Sequence, residues 1–321
     1  MGREIVFRSM QPGEREPVLE LLEAAFGTRE VFARYLDHDP ALRPRDTLLA
    51  LDAERPVACV QIFTRSVRLR RQQAALGGIG SVATHPDWRG RGLATRLLGD
   101  ALAGMRARGQ PIALLFTTRF SFYERLGFRQ ISQRMFRLRS GAGAPGGEVR
   151  VRDFSAADLP RVRELYDTYC EGLSGCTVRS AAYWDAQLRF GTSPRSRFQV
   201  AERGTRVLAY VRCDDVDGRW VAVEYARERG AAASLAELLL QAIPEGRSLF
   251  APIVPDPELG HALKLRGATP EPAEDPSPMW CVLERASLTA IAGLPADASE
   301  RSILDSLVGG PAATFWPSDR F

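Results

Sequence analysis

Hydrophobic positions recur along the chain with two different periods, and the order of these periods predicts an α/β protein. Short apolar or alternating runs, typical of strands, occur at residues 4–8, 47–51, 57–64, 78–84, 112–116 and 128–138. Apolar positions at helical spacing occur at residues 12–26, 93–107 and 120–126. The second of these helices is predicted to end before Gly109-Gln110-Pro111 and the third before Gly127. These elements predict a mixed sheet flanked by helices.

A similar order of elements follows the stretch SGAGAPGG at residues 140–147, which is the clearest linker in the sequence. Further strands are predicted at residues 149–154, 198–201, 207–213, 220–225, 249–252 and 279–284. Further helices are predicted at residues 156–171, 181–190, 231–243, 258–266 and 299–307. We therefore predict two copies of one fold. The expected organisation is a first domain at residues 1–140, a linker at 141–148, a second domain at 149–285 and a C-terminal helix and tail at 286–321.

Length and composition argue for two domains and against a secreted, membrane-spanning, metal-binding or nucleic-acid-binding protein. The length of 321 residues fits two domains. Residues 1–11 lack the apolar core of a signal peptide and no run of about 18 apolar residues exists, so we expect a cytoplasmic protein outside the membrane. Five cysteines without a C-x-x-C pair and three histidines predict neither a metal site nor disulfides. The 43 basic residues, of which only Lys264 is a lysine, are dispersed and matched by 39 acidic ones, so no nucleic-acid partner is expected.

A glycine-rich turn between a predicted strand and a predicted helix carries the most specific chemistry. Residues 80–95 read GSVATHPDWRGRGLAT. A helix N-terminus presents backbone N–H groups and partial positive charge, and glycines at 90 and 92 let an anion approach the backbone. Arg89 and Arg91 add cationic donors suited to phosphate oxygens. The turn has no lysine for a P-loop, and Thr95 stands where a dinucleotide fingerprint needs a third glycine. We interpret the turn as a diphosphate cradle; the alternative is an ordinary glycine turn before a helix.

Two motifs resemble the GNAT acetyltransferase superfamily. Arg89-x-x-Gly92-x-Ala94 is similar to its Q/R-x-x-G-x-G/A signature, and residues 122–128, FYERLGF, are similar to its "FYE+LGF" element. The resemblance covers roughly residues 3–139 and implies two tandem GNAT-fold domains, each a mixed, mostly antiparallel sheet. It also implies acetyl-CoA as acetyl donor and no metal. The residues implied to bind acetyl-CoA are Val82, Ala83 and Thr84 along the pantetheine arm, Arg89, Gly90, Arg91, Gly92, Leu93, Ala94 and Thr95 around the diphosphate, and Thr118 and Arg119.

Tyr123 stands where many members of this superfamily place a general acid. The chemistry requires such a group, because the thiolate that leaves a thioester benefits from a proton supplied at close range. The alternative is a packing aromatic on an apolar helix face. Phe122 and Phe128, its neighbours in the motif, are expected to be core residues.

The tandem arrangement resembles the Eis (enhanced intracellular survival) family of N-acetyltransferases. In that family the proposed base is the terminal carboxylate of a phenylalanine, and this sequence ends FWPSDRF, which makes Phe321 the candidate base. The family has a third domain of about a hundred residues, whereas only residues 286–321 follow the second domain here. Asp37, His38 and Asp39 are alternative bases or substrate contacts, unless they form a polar loop. His85 is a weaker candidate that could instead cap the adjoining turn.

The second copy lacks the cradle, because residues 226–232 read ARERGAA. We therefore expect it to bind no acetyl-CoA and to form a wall of the substrate cleft. The predicted function is an acetyl-CoA-dependent N-acetyltransferase in which an amine attacks directly in a ternary complex. The alternative is a non-catalytic acyl-CoA-binding or sensing module. The acceptor is expected to be a small-molecule or peptide amine, and the sequence leaves its identity and a homo-oligomeric assembly open.

Overall fold

The computed structural model describes residues 4–141, 149–190 and 195–321, so all of the predicted linker except residue 141 lies outside the described residues. The strands are β1 (Ile5–Ser9), β2 (Thr47–Asp52), β3 (Arg55–Leu69), β4 (Gln72–Thr84), β5 (Ile112–Phe116), β6 (Arg129–Gln130), β7 (Gln133–Arg139), β8 (Arg150–Asp153), β9 (Arg197–Arg203), β10 (Arg206–Val216), β11 (Arg219–Arg227), β12 (Ser248–Pro252), β13 (Glu271–Asp275) and β14 (Pro278–Val282). The α-helices are α1 (Arg15–Phe26), α2 (Glu30–His38), α3 (Leu93–Ala107), α4 (Phe120–Glu124), α5 (Leu159–Tyr169), α6 (Ala181–Phe190), α7 (Ala232–Gln241), α8 (Pro257–Leu265), α9 (Arg285–Ala292) and α10 (Glu300–Val308).

The strands form two seven-stranded mixed sheets of matching topology. The first has the order β1-β2-β3-β4-β5-β14-β6 and the second the order β8-β9-β10-β11-β12-β7-β13. Neighbouring strands are antiparallel except for one parallel pair in each sheet, β4 with β5 and β11 with β12. A helix joins the two strands of each parallel pair, α3 in the first sheet and α7 in the second. The predicted fold class, two mixed and mostly antiparallel sheets flanked by helices, is confirmed.

The two halves exchange a strand with each other. β14 lies in the first sheet between β5 and β6, and β7 lies in the second sheet between β12 and β13. The strand predicted at residues 128–138 is thus divided: Arg129 and Gln130 stay in the first sheet, and the chain crosses to the second sheet at Gln133. The predicted ranges 1–140 and 149–285 therefore do not each enclose one sheet. A period-2 pattern shows that a segment is a strand, but it does not identify the strand that pairs with it.

The first sheet is covered on both faces by different elements. Along β5, Ala113 and Leu115 belong to the hydrophobic cluster that includes the buried residues of α3. The alternate residues of β5 point the other way, and Leu114 joins a cluster with residues of α9 and α10. On that second face, α1 buries Val18 and Leu22 against β2 and β3. A site between β4 and β5 is therefore bordered by different elements on the two faces of the sheet.

Three elements were not predicted. α2, where the alternative for residues 37–39 is a polar loop, has no fully buried residue, although Phe32 and Leu36 pack against the cluster that contains α1. β13 contains three acidic residues and a proline, which is unusual for a strand, but it is an edge strand whose Glu271 pairs with Arg137 and Arg139 of β7. α9 lies at the start of the C-terminal segment, where the sequence pattern predicts no helix before residue 299.

In the part of the chain that the structure describes, no helix has the length and apolar character needed to span a membrane.

Candidate active site

A gap opens between β4 and β5 where their pairing stops. The parallel register ends with Gly78 opposite Leu114, although β4 continues to Thr84. The register between β3 and β4 also shifts: Gln61 pairs with Gly80 and Cys59 with Ala83, so β4 carries a bulge there. Over the described ranges, no strand pairs with the end of β4 on the β5 side. The predicted pantetheine contacts, Val82, Ala83 and Thr84, lie on this free stretch of backbone.

The predicted cradle is an open turn at the N-terminus of α3. Gly90 and Gly92 both have left-handed backbone conformations, with φ of +77° and +76°, and no atom of the described residues lies within 4 Å of the positions their Cβ atoms would occupy. Gly92 is the N-cap of α3, and no side chain caps the helix. The first N–H groups of α3 therefore lack the usual side-chain acceptor and remain free to bind an anion. Leu93 is buried and anchors the helix, while Thr95 is exposed.

The two cradle arginines also brace the turn. The Nε atom of Arg89 donates to the carbonyl oxygen of Thr84 at 3.4 Å. Arg91 donates to the carbonyl oxygen of Asp87 at 3.2 Å and stacks on Trp88, with its guanidinium carbon 4.3 Å from the ring centroid. Both side chains are exposed and have donors beyond these contacts. Both predicted arginines therefore lie beside the exposed glycines. The two remaining predicted contacts, Thr118 and Arg119, are exposed residues between β5 and α4.

Tyr123 lies in α4 with its ring buried, 9% exposed, against aromatic neighbours. The ring centroid of Phe122 is 4.9 Å away and that of Phe128 is 6.1 Å away. Burial raises the pKa of Tyr123 to about 12, and the nearby charge of Arg119 opposes this effect. The phenol is therefore protonated at neutral pH. Tyr123 belongs to the hydrophobic cluster on the α3 side of the first sheet.

Phe321 lies on the opposite face of the same sheet, against β4. Its ring stacks on Phe63, with the centroids 5.5 Å apart, and also contacts the rings of Phe116 and Phe315. A Cβ atom at Gly78 would overlap the ring of Phe321, and one at Gly80 would lie 2.9 Å from its carboxyl carbon. These strand glycines are therefore required by the close approach of Phe321. Its carboxyl group lies where the bulge of β4 begins.

The two aspartates among the alternative bases at residues 37–39 are engaged by arginines. Asp37 accepts two hydrogen bonds from Arg15, at 2.7 and 2.6 Å, and these lower its pKa. The buried carboxylate of Asp39 pairs with Arg65 at 2.5 Å. His38 is the last residue of α2. A carboxylate held by a guanidinium is a weaker base, so Asp37 is less suited to remove a proton.

The ring nitrogen Nδ1 of His85 accepts a hydrogen bond from the backbone N–H of Asp87 at 3.4 Å. This is the capping role that the sequence offered as an alternative to a base, and it is confirmed. His85 therefore supports the turn that leads from β4 into the cradle.

The surroundings of the last two residues of the chain were not predicted. Tyr35 of α2 donates its hydroxyl to the carbonyl oxygen of Arg320 at 3.0 Å, and its ring lies edge-on to Phe63 at 5.5 Å. The signal that could have found the contact surface is the run of glycines at 77, 78 and 80 within a predicted strand, because strand glycines often mark close approach of another chain segment. No comparable signal marks Tyr35.

A cavity of about 380 Å³ adjoins this tail. Aromatic rings from both halves line it, together with residues of the tail: Tyr35, Phe154, Phe190, Phe198, Pro317 and Ser318. Among the described lining residues the ionic side chains are Arg197, Arg212 and Asp214. Its volume lies within the range of small-molecule sites.

The corresponding gap in the second sheet is closed. The register of β11 with β12 covers only Trp220 and Val221, but the Tyr225 hydroxyl then bridges to the carbonyl oxygen of Pro252 at 2.5 Å. The buried ring of Trp316 packs against Tyr225, with the centroids 5.0 Å apart. We call each sheet with its flanking helices a unit. These contacts support the prediction that the second unit binds no acetyl-CoA. Within residues 4–141, 149–190 and 195–321, no group of three or more His, Cys, Asp or Glu side chains could hold a metal ion.

Comparison with known proteins identifies the first unit. A family model described as an acetyltransferase (GNAT) domain matches residues 6–131. A protein of Streptomyces griseus named as an uncharacterized N-acetyltransferase is 28% identical over 160 residues, which cover 46% of this chain and 38% of that protein. The chain thus matches less than half the length of this curated relative.

Solved structures resemble nearly the whole chain. A probable N-acyltransferase from Enterococcus faecalis has a TM-score of 0.70 at 18% identity, over 88% of this chain and 73% of that one. Eis1 from Mycobacterium abscessus has a TM-score of 0.64 at 17% identity, over 89% and 76% of the two chains. At such identities the likeness concerns the fold. Residues 6–131 therefore match a GNAT acetyltransferase domain, and the chain as a whole has the tandem two-sheet fold of these structures.

Proposed function

We propose that this protein transfers the acetyl group of acetyl-CoA to an amine by direct attack in a ternary complex, with Phe321 as general base and Tyr123 as general acid. The observation that carries the proposal is the position of the Phe321 carboxyl group, against Gly80 at the bulge of β4. The gap between β4 and β5 opens at the same point, and the cradle follows β4 along the chain.

The residues present fit acetyl-CoA. The exposed glycines 90 and 92, the uncapped end of α3 and the guanidinium groups of Arg89 and Arg91 suit its diphosphate. The free backbone of Val82, Ala83 and Thr84 suits the amide groups of the pantetheine arm. Leu93, Ala94 and Thr95 supply the N–H groups of the first helical turn, and the exposed Thr118 and Arg119 lie beyond β5.

When bound, acetyl-CoA supplies a thioester whose carbonyl carbon an amine can attack. In the proposed mechanism the Phe321 carboxylate accepts a proton from the acceptor amine as its nitrogen bonds to the acetyl carbon. The Tyr123 hydroxyl donates a proton to the sulfur as the carbon–sulfur bond breaks. Because its pKa is raised to about 12, this hydroxyl keeps its proton at neutral pH. The base and the acid lie on opposite faces of the first sheet, so one acts from the acceptor side and the other from the α3 side.

The cavity beside the tail is the proposed acceptor site. Tyr35 connects it with the base, since its ring lines the cavity and its hydroxyl binds the residue before Phe321. Aromatic rings dominate the lining, and its described ionic groups are two arginines and one aspartate. Such a lining suits a primary amine on an aromatic or apolar body better than a polycation, which needs several carboxylates.

Release of coenzyme A, followed with a free-thiol reagent, tests the function directly. The panel comprises arylalkylamines, alkylamines, amino acids, lysine peptides, polyamines and aminoglycosides. The proposal expects amine-dependent release that is greatest with the arylalkylamines. Saturable binding of acetyl-CoA with no release on any amine would instead support the non-catalytic binding module. Failure to bind acetyl-CoA would contradict both.

Tyr123→Phe tests the acid. We expect kcat to fall by about tenfold or more with little change in KM, because the proton is needed only as the sulfur departs. In the unsubstituted protein, deprotonation of Tyr123 should cause no loss of kcat between about pH 7 and pH 10, since its pKa is raised to about 12. Tyr169→Phe, which removes a half-buried hydroxyl bound to Asp256 in the second unit, is the matched control. Equal kcat values for the two variants would remove Tyr123 as the acid.

A further inference from the structure

We propose that Arg179, a residue of the second unit, is a positioning residue for acetyl transfer: it holds Asp319 and Ser318 so that the carboxyl group of Phe321 stays at Gly80. The inference rests on the proposed function, because it gives Arg179 an effect only through Phe321. It also assigns the second unit a task in the reaction other than binding acetyl-CoA.

Arg179 makes a fork-shaped contact with the tail. Its Nε atom donates to Oδ1 of Asp319 at 3.0 Å, and its Nη2 atom donates to Oδ2 at 2.9 Å. The same Nη2 atom donates to the hydroxyl of Ser318 at 2.9 Å. Both charged side chains are fully buried, so neither can exchange its partner for water. Two parallel hydrogen bonds to one carboxylate fix its orientation as well as its distance.

Arg179 is itself held rigidly. Its guanidinium carbon lies 4.1 Å from the ring centroid of Tyr166 and 4.4 Å from that of Trp184, so aromatic rings confine the plane of the fork. Glu224 of β11 pairs with Nη2 and accepts a hydrogen bond from Ser318 at 2.6 Å. Arg179 itself lies in the segment between α5 and α6, and Glu224 ties it to a strand of the second sheet, which positions side chains precisely.

Gln187 of α6 binds the same two tail residues from another direction. Its amide nitrogen donates to Oδ1 of Asp319 at 3.0 Å and to the carbonyl oxygen of Ser318 at 2.9 Å. Only Arg320 lies between these contacts and Phe321, and that residue is fixed by its ion pair with Asp275 and by the hydroxyl of Tyr35.

The contacts of Arg179 and Gln187 with Ser318 and Asp319, together called the anchor, therefore act on the position of the Phe321 carboxyl group through a very short segment of chain. Two residues of extended chain span at most about 7 Å, so Asp319 is held within that distance of Phe321 along the chain. A misplacement of about 1 Å can cost about a hundredfold in rate. The hydrophobic contacts of Phe315 and Trp316 keep the earlier part of the tail in place, and the ring of Phe315 also contacts that of Phe321, whereas Arg179 and Gln187 bind the polar groups of Ser318 and Asp319.

Asp319→Asn tests the anchor, since it keeps the shape of the side chain and removes the charge that binds Arg179. We expect kcat to fall by about tenfold or more, with the Kd of acetyl-CoA unchanged, because the cradle is untouched. Asp158→Asn is the matched control: Asp158 is another buried aspartate of the second unit that accepts two hydrogen bonds from one arginine, Arg152, at 2.7 and 2.8 Å. It should lower thermal stability to a similar extent and leave kcat unchanged.

A double-mutant cycle separates positioning from mere stability. The second change is amidation of Phe321, which removes the carboxylate and keeps the ring. If Arg179 acts through Phe321, Asp319→Asn has almost no further effect on the amidated chain, within about twofold. An equal loss in both forms would mean a structural role and overturn the inference. Full activity of Asp319→Asn, with the amidated chain inactive, would overturn the inference alone. Full activity of the amidated chain would overturn the proposed base itself.

Thermal unfolding of each variant shows whether it folds. If Asp319→Asn does not give a cooperative transition, Ser318→Ala is used in the same cycle, since it removes the hydrogen bonds of Ser318 to Arg179 and Glu224 and leaves the Arg179–Asp319 pair intact. A fall in kcat of about threefold or more, absent from the amidated chain, supports the anchor. An unchanged kcat, or an equal fall in both forms, counts against it.

Discussion

Amidation of Phe321 is expected to lower kcat by about 10²- to 10⁴-fold, the usual contribution of a general base. The amide keeps the aromatic ring, which fills the space over Gly78 and stacks on Phe63, but it can no longer accept the proton of the amine. The Kd of acetyl-CoA should stay the same, because the cradle lies at the start of α3. Intact-mass measurement confirms that the starting protein carries a free carboxylate at this residue.

Extension of the chain by two glycines after Phe321 should have a similar effect, since it moves the carboxylate out of the site. Asp37→Asn serves as the comparison, because it removes the rival carboxylate that Arg15 binds on the surface. If the amidated chain keeps its kcat and Asp37→Asn loses it, the base belongs to the segment after α1 and not to the tail.

Gly92→Val is expected to raise the Kd of acetyl-CoA by about a hundredfold or more. The residue has a φ of +76°, a conformation that costs a β-branched side chain about 1–2 kcal/mol or more. Its side chain would also stand in the open space over the first N–H groups of α3, where the diphosphate is proposed to bind. Titration calorimetry with acetyl-CoA and with coenzyme A measures the loss.

Gly27→Val is the matched control for this change. Gly27 caps the end of α1 with a φ of +75°, and the position of its Cβ atom is equally open. The backbone strain is therefore similar, but the residue lies outside the cradle. Similar Kd values for both variants would show that strain alone affects binding, and retained affinity in Gly92→Val would remove the cradle assignment.

Regular elements of the fold could be predicted where the sequence pattern is strong. α3 and β5 have the predicted bounds, because their apolar residues are buried on the faces that the pattern indicated. α2 and β13 escaped prediction, because the contacts that hold them are long-range. Tyr35 of α2 packs on Phe190 of α6, and Glu271 of β13 pairs with arginines of β7. Local sequence does not encode such partners.

Residues of the candidate site could likewise be predicted only where a local sequence motif marks them. The cradle and Tyr123 are recognisable because each lies within a short contiguous motif. Arg179 is not recognisable, since its role depends on Asp319, a residue far away in sequence that the tail brings to it. The glycines at 78 and 80 are an intermediate case: the sequence marks them as unusual for a strand, but only the fold shows that Phe321 is the reason.

The exchange of β7 and β14 also determines when the protein can fold during its synthesis. β5 ends at Phe116, whereas its neighbour β14 begins only at Pro278. While the ribosome adds the intervening chain, at about 5–20 residues per second, β5 remains an edge strand with unpaired backbone groups. Such an edge can pair with another nascent chain, so this interval is the time of greatest risk of aggregation. Neither half can finish folding alone, and the two units that look independent in the sequence mature as one.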